Sequence, residues 1–228
     1  MKQYSKGISP LFLEFIKFNR YRNIVEIGVA AGGMTRYLCE AVMAMGGFVY
    51  GFDIWTIHGL RRQFKQISSK ECVDEYLKSC GLKNFELIQV NTRMEEFGEI
   101  IRKKCPTIDF AFIDGCHSYE GIKNDFDIVY PLLNETGMIA FHDTLKIDGC
   151  REFMIDLRTI YYDGTFDIID MPWGNGKRRV GVSILMKRTY PVMGWKIDEI
   201  CGSLSEPHEI YKKEKEWYKR EIEQRVGL

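Results

Sequence analysis

The fold is decided by the stretch VEIGVAAGG, which occupies residues 25–33. It joins an apolar run to a turn of small residues, and a helix-like pattern follows from about Gly33 until Gly46 and Gly47 end it. Small residues let the chain bend sharply and let a ligand approach the backbone and the amino end of the helix. The stretch therefore predicts a buried strand, a ligand-binding turn and a helix.

Short apolar runs alternate with longer helix-like stretches along the chain, which predicts parallel strands joined by crossover helices. The predicted parallel strands are Ile24–Val29, Phe48–Ile54, Phe85–Asn91, Ile108–Asp114 and Met138–His142. Two further strands, Phe166–Met171 and Val180–Met186, are separated by a loop too short for a helix, so they should form an antiparallel hairpin. The predicted fold class is α/β, with a doubly wound, mostly parallel seven-stranded sheet and a terminal antiparallel hairpin.

The whole chain, residues 1–228, is predicted to be a single domain, because no repeat, linker or low-complexity segment interrupts it. Its core spans residues 22–188, with a helical addition over 1–21 and a helical extension over 189–228. The apolar and aromatic residues of the extension either pack on the domain itself or pair two subunits through the C-terminal helix.

The chain balances 32 Lys and Arg against 32 Asp and Glu, which gives a formal net charge of zero. This balance argues against nucleic acid or anionic lipid as the main partner and favours a small molecule or another protein. No apolar run is long enough to predict a membrane span. The seven cysteines contain no Cys-x-x-Cys pair, which indicates reduced thiols and a cytoplasmic protein.

Acidic residues lie at the predicted carboxyl ends of the first two strands, where open α/β sheets bind their ligands. Glu26 precedes the glycine turn, and Asp53 could accept hydrogen bonds from both hydroxyls of an adenosine ribose. The spacing Gly28-x-Ala30-x-x-Gly33, with Asp53 about twenty residues later, also fits a dinucleotide-binding fingerprint. These residues alone leave the class of adenosine cofactor open.

The fourth and fifth predicted strands each deliver an acid and a histidine, namely Asp114 with His117 and His142 with Asp143. Imidazole titrates in the range that suits a general base at neutral pH. In a purely structural reading, Asp114 would cap the following helix and the two histidines would only hydrogen-bond to neighbouring groups. The occurrence of both pairs at strand ends favours chemistry over this structural reading.

Together with VEIGVAAGG, the sequences DGCHSYE (114–120), PLL (131–133) and FHD (141–143) resemble class I S-adenosylmethionine-dependent methyltransferases, and more narrowly a subgroup of small O-methyltransferases. The resemblance covers about residues 22–188 and implies a Rossmann-like methyltransferase fold. It includes the terminal hairpin, which is not expected in a dinucleotide-dependent dehydrogenase.

The resemblance also implies how S-adenosylmethionine would bind. The loop after the first strand would hold the methionine end, the acid ending the second strand would hold the ribose, and the turn after the third strand would lie beside the adenine. The implied cofactor-binding residues are Glu26, Gly28, Ala30, Gly32, Thr35, Asp53, Asn91, Thr92, Arg93 and Asp114.

For catalysis, the resemblance implies His117 as general base, with Asp114 and His142 as further catalytic residues. Asp114 and Asp143 match the two acids that bind Mg²⁺ in metal-using relatives, whereas the third ligand position is Thr144 here. The expected reaction is O-methylation of a hydroxyl on a small molecule or glycan precursor. The alternatives are a nicotinamide-dependent oxidoreductase and a non-catalytic cofactor-binding interaction protein.

Overall fold

The structure is a computed structural model, and it describes residues 9–55, 69–171 and 180–188. The strands are β1 (Asn23–Ile27), β2 (Phe48–Asp53), β3 (Phe85–Gln89), β4 (Ile108–Ile113), β5 (Leu133–His142), β6 (Phe166–Met171) and β7 (Val182–Lys187). The helices are α1 (Ser9–Phe18), α2 (Gly33–Met43), α3 (Lys70–Ser79), α4 (Phe97–Lys104), α5 (Tyr119–Val129) and α6 (Asp148–Thr159).

The strands form one seven-stranded sheet in the order β3-β2-β1-β4-β5-β7-β6. Strands β1 to β5 run parallel to one another, and β7 is antiparallel to both β5 and β6. The predicted fold class is therefore confirmed. The strand order reverses between β1 and β4, so the carboxyl ends of these two strands flank the crevice in which open α/β sheets bind ligands.

Both faces of the sheet are buried, which explains the nearly continuous apolar runs of the central strands. In β1, Ile24 packs with Leu38, Val42 and Leu77 of α2 and α3. Its neighbour Val25 belongs to the opposite layer. The members of that layer from α4, α5 and α6 are Phe97, Ile101, Ile122, Phe126, Val129, Cys150, Phe153, Met154 and Leu157. The two helical layers thus cover the two faces of the sheet.

Several predicted boundaries differ from the observed ones. Helix α5 ends at Val129 and a 3-10 turn, Tyr130–Leu132, follows, because Pro131 cannot donate the backbone hydrogen bond that a continuing helix requires. Strand β5 begins at Leu133 instead of Met138, and a register shift against β4 accommodates the extra residues. Helix α3 is capped by Ser69, whose side chain accepts from the Cys72 backbone N–H.

Within the residues that the structure describes, no helix is both long enough and apolar enough to span a membrane. Most of the loop after Trp55, the loop of the β6–β7 hairpin and the C-terminal extension over 189–228 lie outside the described residues. The single-domain organisation and the dimer contact through the C-terminal helix remain predictions.

Candidate active site

The glycine turn brings the ends of β1 and β4 into direct contact. Gly28 has a φ of 92°, and a Cβ atom on it would lie 2.1 Å from the carbonyl oxygen of Asp114. The Gly28 N–H donates to the Phe52 carbonyl at 2.8 Å, while the Asp114 N–H donates to the Ile27 carbonyl at 2.8 Å. Only glycine fits both the left-handed backbone and this close approach.

The next residues of the turn prepare the amino end of α2. Ala30 has a φ of 49°, and Gly32 has a φ of 75° and is the N-cap residue of the helix. A Cβ atom on Gly32 would lie 2.7 Å from Cγ1 of Val73 in α3. The backbone N–H groups at this helix end suit the carboxylate of a bound ligand.

Glu26 and Thr35 lie buried beneath the turn. The Thr35 hydroxyl donates to Oε2 of Glu26 at 2.5 Å, and both side chains are shielded from solvent. Burial raises the pKa of Glu26 to about 8, despite the opposing hydrogen bond from Thr35. Burial therefore favours the protonated form of Glu26, and a cation bound nearby would favour the ionised form.

The Asp53 side chain joins the end of β2 to the glycine turn by hydrogen bonds. Its Oδ2 accepts from the Ala30 N–H at 2.8 Å, and its Oδ1 accepts from the Trp55 N–H at 2.7 Å. The Trp55 indole donates in return to the Ala30 carbonyl at 3.2 Å, and this side chain is buried. Because each carboxylate oxygen has two acceptor sites, Asp53 keeps capacity for further donors such as ribose hydroxyls.

The turn after β3 is held by local and long-range bonds. The Asn91 side chain accepts from the Arg93 N–H at 3.1 Å. The Thr92 carbonyl accepts from the Asn124 side chain of α5 at 2.7 Å. The turn thus follows the carboxyl end of β3, at the same edge of the sheet as the glycine turn, and Thr92 joins it to α5.

Asp125 is a feature of this region that the sequence analysis did not assign to a site. It is fully buried, and its polar neighbours are Thr92 and Asn124. Burial raises its pKa to about 6. The signal in the sequence was an acid on the apolar face that Ile122, Phe126 and Val129 define along α5.

The two predicted acid–histidine pairs meet at the ends of β4 and β5. His117 Nε2 lies 3.0 Å from Oδ1 of Asp114, and His142 Nδ1 lies 3.2 Å from the same oxygen. Oδ2 of Asp143 lies 3.8 Å from His117 Nε2 and 3.6 Å from His142 Nδ1. Ser118, and not Asp114, caps α5 by accepting from the Gly121 N–H. The reading of Asp114 as a helix cap is therefore wrong.

These contacts set the charges of the cluster. Burial opposes ionisation of Asp114, but hydrogen bonds from His117 and His142 hold the pKa of this carboxyl below its usual range. The hydrogen bond to Asp114 raises the pKa of His117 above its usual range. For His142, burial acts in the opposite direction, yet the bonds to Asp114 and Asp143 raise its pKa to about 10. His142 is thus protonated at neutral pH, and the contact with Asp114 shifts the pKa of His117 in the same direction.

The same cluster contains the one candidate metal site found among the described residues. Asp114, His117 and Asp143 each offer one ligand atom, and these atoms lie within 4.8 Å of one another. Thr144 does not belong to it, because this residue is buried and its hydroxyl is hydrogen-bonded to that of Ser183, with 3.0 Å between the oxygens. The position that the sequence analysis assigned to a third metal ligand is therefore engaged elsewhere.

The strand order, the antiparallel last strands and the glycine turn at the reversal point define the class of Rossmann-like methyltransferases. Residues 25–144 match the family model described as "Methyltransferase domain". This match spans more than half of the chain, so the chain belongs to this family of class I S-adenosylmethionine-dependent methyltransferases. Among curated proteins, none is significantly similar to it in sequence.

Solved structures share the fold at low sequence identity. The O-methyltransferase TomG from Streptomyces achromogenes, in complex with S-adenosylmethionine, superposes with a TM-score of 0.58 at 15% identity over 79% of each chain. An O-methyltransferase from Bacillus cereus in complex with S-adenosylhomocysteine gives 0.64 at 14% identity over 82% of this chain and 83% of that one. An rRNA methylase from Streptococcus thermophilus gives 0.56 at 14% identity over 78% and 95%. The fold is thus shared by enzymes that act on different acceptors.

Proposed function

We propose that the protein is an S-adenosylmethionine-dependent O-methyltransferase that acts on a hydroxyl group of a small molecule or glycan precursor, with His117 as the general base. The observation that carries the proposal is the pairing of His117 with Asp114 at 3.0 Å, at the end of the strand that touches the glycine turn. The base and the cofactor turn thus share one crevice.

Methyl transfer from a sulfonium releases a neutral thioether, so the donor needs no acid. The acceptor hydroxyl must lose its proton as its oxygen attacks the methyl group. Because Nε2 of His117 faces Asp114, the neutral ring that keeps its proton on Nε2 presents the lone pair of Nδ1 to the acceptor. Asp114 then stabilises the imidazolium that forms, and the charged His142 keeps Asp114 ionised and in place.

For the cofactor, we propose that the turn at Gly28, Ala30 and Gly32 holds the methionine end and that Glu26 and Thr35 support it from below. Asp53 would accept the ribose hydroxyls. The turn of residues 91–93 would border the adenine, with Asp114 closing the pocket on the other side. The acids at this edge of the sheet favour a cationic sulfonium ligand over a polyanion, which supports a small acceptor over nucleic acid.

The ligand atoms that the cluster offers can be compared with those that the predicted Mg²⁺ prefers. Mg²⁺ prefers oxygen ligands, while Asp114, His117 and Asp143 supply two carboxylates and one imidazole. This mixed set fits a divalent ion that accepts nitrogen, such as Mn²⁺ or Zn²⁺, better than Mg²⁺. A bound divalent ion would lower the pKa of a coordinated acceptor hydroxyl. We therefore propose the metal-assisted form as a second version of the same reaction.

Family membership separates the methyltransferase reading from the nicotinamide-dependent oxidoreductase that the glycine turn alone left open. The non-catalytic reading predicts cofactor binding without any turnover. The Asp114–His117 pair argues against it, because a half-buried ion pair of this kind is costly to keep without a use.

The test combines binding with turnover. Calorimetry should show saturable binding of S-adenosylmethionine and S-adenosylhomocysteine, and mass spectrometry should then detect methylated products from a panel of phenols, catechols and sugars. EDTA-treated enzyme, with and without added Mg²⁺ or Mn²⁺, separates the two versions of the mechanism. Absence of cofactor binding would overturn the proposal. Methylation of an RNA transcript alone would overturn the small-molecule acceptor, and tight binding without methylation of any acceptor would support the non-catalytic reading.

A further inference from the structure

Asp143 adopts an unusual backbone conformation at the point where β5 leaves the sheet. Its φ is 59°, in the left-handed region that non-glycine residues seldom adopt. Aspartate adopts this region more readily than most non-glycine residues do, but the conformation still costs free energy that the surrounding contacts must offset. Because the carboxylate of Asp143 faces both histidines of the cluster, the contacts that hold its backbone also determine the geometry of the cluster.

Backbone hydrogen bonds hold the segment after Asp143, both within its own turn and to the residue that precedes β7. The Asp143 carbonyl accepts from the N–H groups of Lys146 and Ile147, each at 3.1 Å. The Leu145 N–H donates to the Val180 carbonyl at 3.0 Å, which ties the segment to the chain entering β7. These bonds fix the residues that follow, but they leave Thr144 to be held by its side chain.

Thr144 is held by a buried chain of side-chain hydrogen bonds. Its hydroxyl lies 3.0 Å from that of Ser183 in β7, and Ser183 Oγ lies 2.5 Å from Oδ1 of Asp170 in β6. Ser183 has only one hydroxyl proton, and a carboxylate can only accept. Ser183 therefore donates its hydrogen bond to Asp170 and accepts a hydrogen bond from the Thr144 hydroxyl. Thr144 and Ser183 are 2% and 0% exposed, so no solvent replaces these bonds.

This series of side-chain hydrogen bonds ends on α6. Arg158 Nη2 donates to Oδ1 of Asp170 at 2.5 Å, and its Nη1 donates to the Met154 carbonyl at 2.8 Å. The guanidinium fixes the carboxylate that orients Ser183. One helix and two strands thus contribute to the position of Thr144, the residue next to Asp143.

We infer that Thr144 and Ser183 are positioning residues, whose buried hydroxyl pair holds Asp143 in its left-handed conformation and so places its carboxylate against His117 and His142. The inference rests on the proposed function only in that it counts Asp143 within the catalytic cluster. It also accounts for a threonine at position 144, because valine would remove the donor that Ser183 requires there.

The test compares Thr144→Val and Ser183→Ala with the variants Thr144→Ser and Ser183→Thr, which keep the hydroxyl. Nuclear magnetic resonance of the imidazole rings at one fixed pH reports the surroundings of His117 and His142, and the chain has only four histidines to assign. Tyr130→Phe is the matched control, because it removes a side-chain bond to Thr165 without touching the chain from Arg158 to Thr144. Calorimetry with S-adenosylmethionine monitors the cofactor turn.

We expect Thr144→Val and Ser183→Ala to shift both ring signals while cofactor affinity is unchanged, and we expect the hydroxyl-retaining variants and Tyr130→Phe to keep the wild-type signals. If Thr144→Val or Ser183→Ala fails to fold, Asp170→Asn replaces them. It weakens the same series of hydrogen bonds at its more exposed end, so it should shift the ring signals less. Wild-type ring signals in folded Thr144→Val would overturn the inference. Failure of the proposed function would appear separately, as methyl transfer that survives His117→Ala.

Discussion

The two sides of the crevice hold their acids differently. On the cofactor side, Asp53 accepts hydrogen bonds from two backbone N–H groups, those of Ala30 and Trp55. On the catalytic side, Asp114 accepts from the side chains of His117 and His142. Backbone amides do not titrate in the physiological range, whereas imidazoles do. The partners of Asp53 therefore fix its position alone, whereas the partners of Asp114 can also gain or lose a proton.

Gly28 is the point at which the two sides touch, so its substitution should affect both. Gly28→Ala places a methyl group against the Asp114 carbonyl, 2.1 Å away before any relaxation, at a φ of 92°. We expect a loss of more than about 2 kcal/mol in the free energy of unfolding, measured by urea denaturation without cofactor. Gly33→Ala is the control, because a Cβ atom there meets nothing within 4 Å and alanine favours the helix. Equal stability of the two variants would contradict the close approach.

His117→Ala should separate the two sides functionally. It removes the base but leaves the glycine turn and Asp53 untouched, so turnover should fall roughly 10²–10⁴-fold while the affinity for S-adenosylmethionine stays the same. Single-turnover release of S-adenosylhomocysteine with an identified acceptor measures the first quantity, and calorimetry measures the second. A parallel loss of cofactor affinity would mean that His117 belongs to the cofactor side.

Asp53→Asn should have the opposite pattern. The amide has one acceptor oxygen, so either Ala30 or Trp55 loses its partner and the ribose loses a charged acceptor. We expect cofactor affinity to fall about 10–100-fold, with turnover retained at saturating cofactor.

Asp109→Asn is a matched control for Asp53→Asn, because Asp109 also accepts from two backbone N–H groups, those of Arg22 and Asn23, at the opposite edge of the sheet. It should lower stability without changing cofactor affinity. If the Asp53→Asn and Asp109→Asn variants bind the cofactor with equal affinity, Asp53 does not contact the cofactor.

The features that the sequence predicts best are those whose determinants are close together in the chain. The glycine turn depends on nine consecutive residues, and His117 follows Asp114 by three positions. By contrast, the bond from the Ala30 N–H to Asp53 spans 23 positions, and the Thr144–Ser183 pair spans 39. Neither bond has a periodic or compositional signature, so only the folded chain reveals it. The start of β5 was missed for a related reason, because its register shift depends on β4.

The buried carboxyls Glu26 and Asp125 provide the last comparison, because both keep their protons in the folded protein to a higher pH than in the unfolded chain. Their pKa values rise from 4.5 to about 8 and from 3.8 to about 6. Between the unfolded and folded values the folded state binds the extra proton, so the free energy of unfolding must fall as pH rises, by at most about 1.4 kcal/mol per pH unit for each group.

Glu26→Gln should therefore flatten the stability profile, relative to wild type, between about pH 5 and 8, and Asp125→Asn should do so between about pH 4 and 6. His142, with a pKa raised to about 10, also lowers stability with rising pH above 6.5, but it does so equally in wild type and in both variants. Urea denaturation across this range measures the difference. Parallel profiles for wild type and Glu26→Gln would show that Glu26 is ionised beneath the glycine turn, and that the cofactor side also carries a fixed negative charge.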